Sequence, residues 1–132
     1  MRALPSQGQS FRKIREDDLL YVDKTKYLFE IVNTEGCFFL SRPRRFGKSL
    51  LLGAAHELLR CHREYFKGLW IDSSDYDFIQ YPVVRLDMTC SCESTDALIT
   101  NISGKLRRVA ERNGIGSLND TTPDDMLSEL VY

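Results

Sequence analysis

The residue types best suited to chemistry lie in one short stretch: Arg42, Pro43, Arg44, Arg45, Phe46, Gly47, Lys48, Ser49 and Leu50. A polyphosphate is held by backbone N–H groups that converge on its oxygens, and the start of a helix offers such groups together with the positive end of its dipole. Gly47 lets the backbone come close because no Cβ intervenes. Lys48 sets a point charge against the terminal phosphates, and the Ser49 hydroxyl suits a Mg²⁺ ion that bridges them. The usual spacing is G-x-x-x-x-G-K-[ST], and here Arg42 stands where the first glycine belongs. Gly-Lys-Ser is also a common way to begin an ordinary helix, so a strand before it and a helix after it must carry the distinction.

Both flanks have that character. The apolar run at 37–40 reads as a buried strand ending in the loop. From Lys48 a helical stripe continues through Leu51, Ala55, Leu58, Leu59, His62 and Phe66, with an end near Gly68. Upstream, residues 11–20 suggest a short helix or turn. Asp23 is placed to cap a helix over about 24–34, whose Tyr27, Leu28, Ile31 and Val32 share a face and whose stop is Gly36. Downstream, 71–81 is acidic and turn-rich, which predicts a surface loop, and Pro82 introduces a β-branched run at 83–88 that predicts a second buried strand. Ser94 or Thr95 caps a helix with Leu98, Ile99, Ile102, Leu106 and Val109 on one stripe, closing at Asn113-Gly114. Thr122, Pro123 and Asp125 have the order of a final helix start. Strands alternating with helices predict an α/β fold with a mainly parallel sheet.

Composition excludes several classes. The 132 residues carry a net charge of −1, so no global field draws the chain to DNA or to a membrane, and basic character is local to Arg42, Arg44, Arg45 and Lys48. No apolar stretch approaches a membrane span, and residues 1–10 have no signal-like core; a soluble, cytoplasmic protein is expected. Cys37, Cys61, Cys90 and Cys92 are then expected as reduced thiols. Cys90-Ser91-Cys92 with Cys61-His62 matches no standard zinc spacing, and His56 and His62, six positions apart, do not share a helix face as a metal pair would.

Several strings, in order, resemble the N-terminal part of the AAA-ATPase-like family. They are the segment from Gln9 through Phe11-Arg12-Lys13-Ile14-Arg15-Glu16, then Tyr21-Val22-Asp23-Lys24-Thr25, then Ser41-Arg42-Pro43-Arg44-Arg45-Phe46-Gly47-Lys48-Ser49, then Phe66-Lys67-Gly68-Leu69-Trp70 and Tyr81-Pro82-Val83-Val84-Arg85-Leu86-Asp87. These are predicted ATPases of prokaryotes and mobile elements, often followed by a restriction-like nuclease domain. The resemblance implies a P-loop NTPase-like three-layer αβα sandwich, present as an incomplete N-terminal portion with a partial parallel sheet. Its parts would be a lead-in and helix (1–36), strand, loop and helix (37–68), and a second strand with further helices (69–132). It implies that Arg42 belongs to a family variant of the loop, that positions 42–49 wrap the phosphates of ATP with Mg²⁺ at Ser49, and that Tyr21 and Asp23 lie near base and ribose. Homo-oligomers or an attached nuclease domain are implied for full-length relatives.

Hydrolysis needs a further acid to hold the metal shell and orient water. The resemblance implies that the family's acidic strand, a string like L-I-D-E-Y-D, comes after position 132, so a truncated domain that binds ATP without turning it over is expected. Asp87 is the local candidate for a catalytic acid beside Lys48; its other reading is the end of a strand capping the next turn. Two readings compete with an ATPase segment. One is a non-hydrolysing module whose arginine-rich loop grips nucleic acid or a protein partner. The other is a small-molecule kinase, which would need a basic lid that the neutral-to-acidic stretch past Asn113 does not offer.

Overall fold

Side-chain oxygens start several helices, at Ser94 and Thr122 as predicted and at Ser10 in addition. The computed structural model describes residues 1–87, 93–116, 118 and 122–131. Ser10 Oγ accepts from the Lys13 amide at 3.2 Å and opens α1, Phe11–Glu16. Helix α2 is Thr25–Val32 and α3 is Lys48–Leu59. Two single turns of 3-10 helix follow at Arg63–Phe66 and Trp70–Ser73. Ser94 Oγ accepts from Ala97 N at 3.2 Å and opens α4, Thr95–Arg112. Thr122 Oγ1 accepts from Asp125 N at 3.3 Å and donates to the Asp125 carboxylate, opening α5, Pro123–Val131, with Pro123 at the first helical position.

The chain forms two compact units, Met1–Tyr81 and Pro82–Tyr132. The core of the first is Phe11, Leu28, Ala54, Leu58, Phe66, Leu69 and Ile71. Phe11 is its hub: its ring lies 5.1 Å from Phe66 and 5.1 Å from Tyr21, centroid to centroid. Arg15 ties α1 to the turn after α3, with Nε donating to Tyr65 O and Nη2 to Lys67 O, both at 2.7 Å. In the second unit α4 and α5 bury Leu106, Val109, Ala110, Leu118, Met126 and Leu130.

No β-strand is present among the described residues, which overturns the α/β expectation and with it the three-layer αβα sandwich and its partial parallel sheet. A strand is held by a neighbour's N–H and C=O groups. An apolar, β-branched run says only that its side chains would suit a half-buried pleated surface. Residues 37–40 have no such neighbour among the described residues, and Phe38, Phe39 and Leu40 stand 53%, 94% and 46% exposed. The other predicted strand belongs to the second unit, where Val84 and Leu86 pack against the α4 and α5 core in place of a sheet. There the Lys105 ammonium donates to Asp87 O. Met88, at the end of that predicted strand, lies outside the described residues.

Two further expectations change. The stripe that predicted one helix from Lys48 to near Gly68 is broken, because α3 stops at Leu59 and Cys61 turns left-handed with φ 62°. Phe66 still reaches the core, through a 3-10 turn. The predicted surface loop at 71–81 begins inside a 3-10 turn whose Ile71 is completely buried.

Candidate functional site

The bend ahead of α3 is built by two left-handed residues, Arg45 at φ 68° and Gly47 at φ 77°. Arg45 is a side-chain-bearing residue in a region that costs L-residues about 1 kcal/mol or more, so surrounding contacts must hold it. Gly47 takes the same region without that cost and stands at the helix N-cap position, where it offers no capping side chain. The first intrahelical bond runs from Leu51 N to Gly47 O at 2.9 Å. The amides of Lys48, Ser49 and Leu50 therefore make no hydrogen bond among the described residues, at the positive end of a 12-residue helix.

The Lys48 side chain folds back over the bend. Its ammonium donates to Arg42 O and, at 3.0 Å, to Pro43 O, which closes the loop around the amide cluster. Arg42, Pro43, Arg44, Arg45 and Phe46 are exposed around it, Phe46 at 64%, while Gly47, Lys48 and Leu50 are half-buried. The Ser49 hydroxyl is exposed beside Lys48 and makes no hydrogen bond among the described residues. A hard oxygen donor so placed fits Mg²⁺ carried in by phosphates. Among the described residues no three His, Cys, Asp or Glu side chains cluster as a metal cage. Cys90 and Cys92 lie outside the described residues.

Asp23 turns out to be a latch. Its Oδ1 accepts from Thr25 N at 2.8 Å and Thr25 Oγ1 at 2.7 Å, and its Oδ2 accepts from Trp70 N at 2.6 Å. Thr25, completely buried, in turn accepts from Ile71 N at 3.1 Å. Burial pushes the Asp23 carboxyl up, but the Trp70 and Thr25 donors outweigh it and hold the group below its ordinary range. Lys24, not Asp23, holds the N-cap position of α2, so Asp23 accepts from the first helical amide at Thr25 from one residue further out; its bond to an amide 47 positions away had no sequence signal. Tyr21 packs edge-on against Phe11. Burial, followed by the Asp23 charge, pushes its phenol up to about 12, so it stays protonated.

Two hollows flank the bend. One, of about 410 Å³, is lined mainly by apolar side chains, among them Pro5, Leu20, Tyr21, Val22, Phe46 and Leu50. The other, of about 490 Å³, is bordered by Tyr27, Glu30, Leu40, Arg42 and Lys48. Both volumes are in the range of small-ligand sites. The structure thus brings Tyr21 into one wall with Phe46, Gly47 and Leu50, and leaves Asp23 behind that wall as its support. Sequence reasoning missed Lys24, which borders both hollows. A lysine at a helix start looks like any surface charge, and only its place inside the Tyr-Val-Asp-Lys-Thr string could have drawn notice. Asp87 belongs to the second unit.

Nearly the whole chain matches one family model. Residues 5–132 fit the family described as predicted AAA-ATPase, and the chain belongs to that family. Among curated proteins it is 44% identical over 87 residues to the "Uncharacterized protein in vnfD 5'region" of Azotobacter chroococcum mcd 1. That match covers 64% of this chain and 17% of the relative, so the chain spans about a sixth of that protein's length. No solved structure matches.

Proposed function

We propose that the first unit binds a nucleoside triphosphate, ATP in the first instance, with its phosphates on the bend at 42–50 and its base in the apolar hollow beside Tyr21. The observation that carries this is the set of three amides at the start of α3 that are unpaired among the described residues, under a lysine already folded across the same loop. An anion there meets aligned N–H donors and the helix dipole together. Lys48 neutralises phosphate charge once it exchanges the Arg42 and Pro43 carbonyls for phosphate oxygens. Ser49 would hold Mg²⁺, which when bound screens neighbouring phosphates from one another. Arg44 and Arg45 are exposed at the rim, free to contact phosphate or a neighbouring subunit. Membership of a predicted ATPase family supports the reading.

The function proposed is binding. Turnover calls in addition for an acid on the metal shell. Titration calorimetry with MgATP tests the reading. Lys48→Ala should weaken binding by at least about tenfold, as expected for losing a charge-assisted contact to phosphate. Equal affinity in wild type and variant would remove the phosphate role of the loop. The exposed Phe46 ring amid Arg42, Arg44 and Arg45 favours a second reading, single-stranded nucleic acid stacked and gripped by the same loop. Under that reading an oligonucleotide binds, and ATP at saturating concentration fails to displace it.

A further inference from the structure

The two hollows share part of their lining. Lys24, Phe46, Gly47 and Leu51 border both of them. At Gly47, an added Cβ would meet the Lys24 ammonium at 4.0 Å and no other atom within that distance. The ammonium therefore stands beside the open face of Gly47, where a side chain would project. It makes no hydrogen bond or ion pair among the described residues, although Glu30 borders one of the hollows.

The Lys24 backbone is also fixed. The preceding residue is held by Trp70 N and Thr25, and Lys24 O accepts from Tyr27 N at 3.1 Å. A free cation on an anchored backbone is suited to a ligand, because little ordering is needed when one arrives. The chemistry on either side defines that ligand. A molecule with a flat apolar end in the first hollow and an anionic end beside Arg42 and Lys48 in the second would run past Gly47, which lines both.

We propose that Lys24 clamps the phosphate chain from outside the loop, as a second cation beside Lys48 at the start of α3. The inference rests on the nucleotide reading of the site and extends it. Lys24 selects ligands that carry both a base and a phosphate chain, since its ammonium stands where the two meet. The cation comes from the segment that Asp23 latches, so base wall and phosphate clamp move as one piece.

The test uses the full chain with MgATP, inorganic tripolyphosphate and adenosine as separate titrants, on wild type, Lys24→Met, Lys24→Arg and Lys48→Ala. Methionine keeps most of the stem and removes the charge, and matched melting curves check that the exposed substitution leaves the fold intact. Lys24→Met should weaken MgATP and tripolyphosphate about tenfold more than it weakens adenosine, the size of a charge-assisted contact at a partly exposed site. Lys24→Arg should recover most of that loss. If Lys48→Ala loses MgATP while Lys24→Met binds it as the wild type does, the clamp is wrong and the nucleotide site stands. If the wild type binds neither MgATP nor tripolyphosphate, the site itself is wrong and the clamp falls with it.

Discussion

Replacing Asp23 by asparagine exchanges one carboxylate oxygen for an NH2 group and tests the latch beneath the site. The carboxylate accepts three hydrogen bonds, two on Oδ1 from Thr25 and one on Oδ2 from Trp70 N. Asparagine can keep the Thr25 pair on its single carbonyl oxygen, but its amide then faces the Trp70 N–H, donor against donor. One bond is lost and the other two lose their charge. A hydrogen bond to a charged group contributes about 1.5–3 kcal/mol. The half-open setting argues for the lower end, and about 2 kcal/mol in all is a fair expectation. In a unit of this size that lowers the melting temperature by roughly 8–16 °C.

The pH dependence fixes the sign. The carboxyl of Asp23 is held below its ordinary range, so the folded form binds its proton less readily than the unfolded chain does. Its contribution is complete above the ordinary carboxylate value of about 3.9 and fades as pH falls through the lower folded value. The gap between wild type and Asp23→Asn should be constant from neutral pH down to about 5 and close below about 4. Trp70 is the single tryptophan, stacked edge-on against Phe29 with centroids 5.6 Å apart, so its fluorescence reports this corner directly. A variant that melts with the wild type at neutral pH, or a gap that persists unchanged in acid, would refute the latch.

Gly47→Ala should cost about 1 kcal/mol of stability through its left-handed φ of 77° and weaken MgATP binding more than that strain accounts for, because the new methyl takes up space beside Lys24; calorimetry beside a melting curve separates the two effects. Phe66→Ala removes a wholly buried ring that lies 5.1 Å from Phe11 and 6.1 Å from Phe78. It should destabilise the first unit by about 3–5 kcal/mol in urea unfolding followed by Trp70 fluorescence.

The sequence was most legible where a local rule suffices. Ser94 with Ala97 and Thr122 with Asp125 are caps that satisfy their own first turn, so the starts of α4 and α5 could be read without knowing what they pack on. The loop was legible for the same reason, since Gly47 at an N-cap and Lys48 at the first position are local choices. What failed was what depends on distant partners. Residues 37–40 have strand composition, but pairing is a property of two segments, and none pairs with them among the described residues. The stripe that carried the helix past Leu59 was a true record of burial, for Phe66 is in the core, yet burial has the same look whether the chain arrives by helix or by a turn at Cys61. Asp23 was legible as an acceptor for the first amide of α2, though Lys24 takes the cap position, and illegible as a latch, because nothing near it in the chain announces Trp70.

How the bend ahead of α3 is held in place without a strand entering it follows from the packing behind that helix. Gly53, in the middle of that helix, lets it approach α1 so closely that a Cβ there would lie 3.7 Å from Phe11 Cβ. The other side of Phe11 carries the Tyr21 ring. One phenylalanine thus sets both the distance of α3 from α1 and the position of the wall that faces the bend, while Asp23 fixes the far end of that wall to the turn at Trp70. The amides at the start of α3 and the apolar hollow beside Tyr21 are referenced to the same two anchors. A change at either anchor should therefore shift affinity for the base and for the phosphates together, whereas changes at Lys48 or Lys24 should act on the phosphates first.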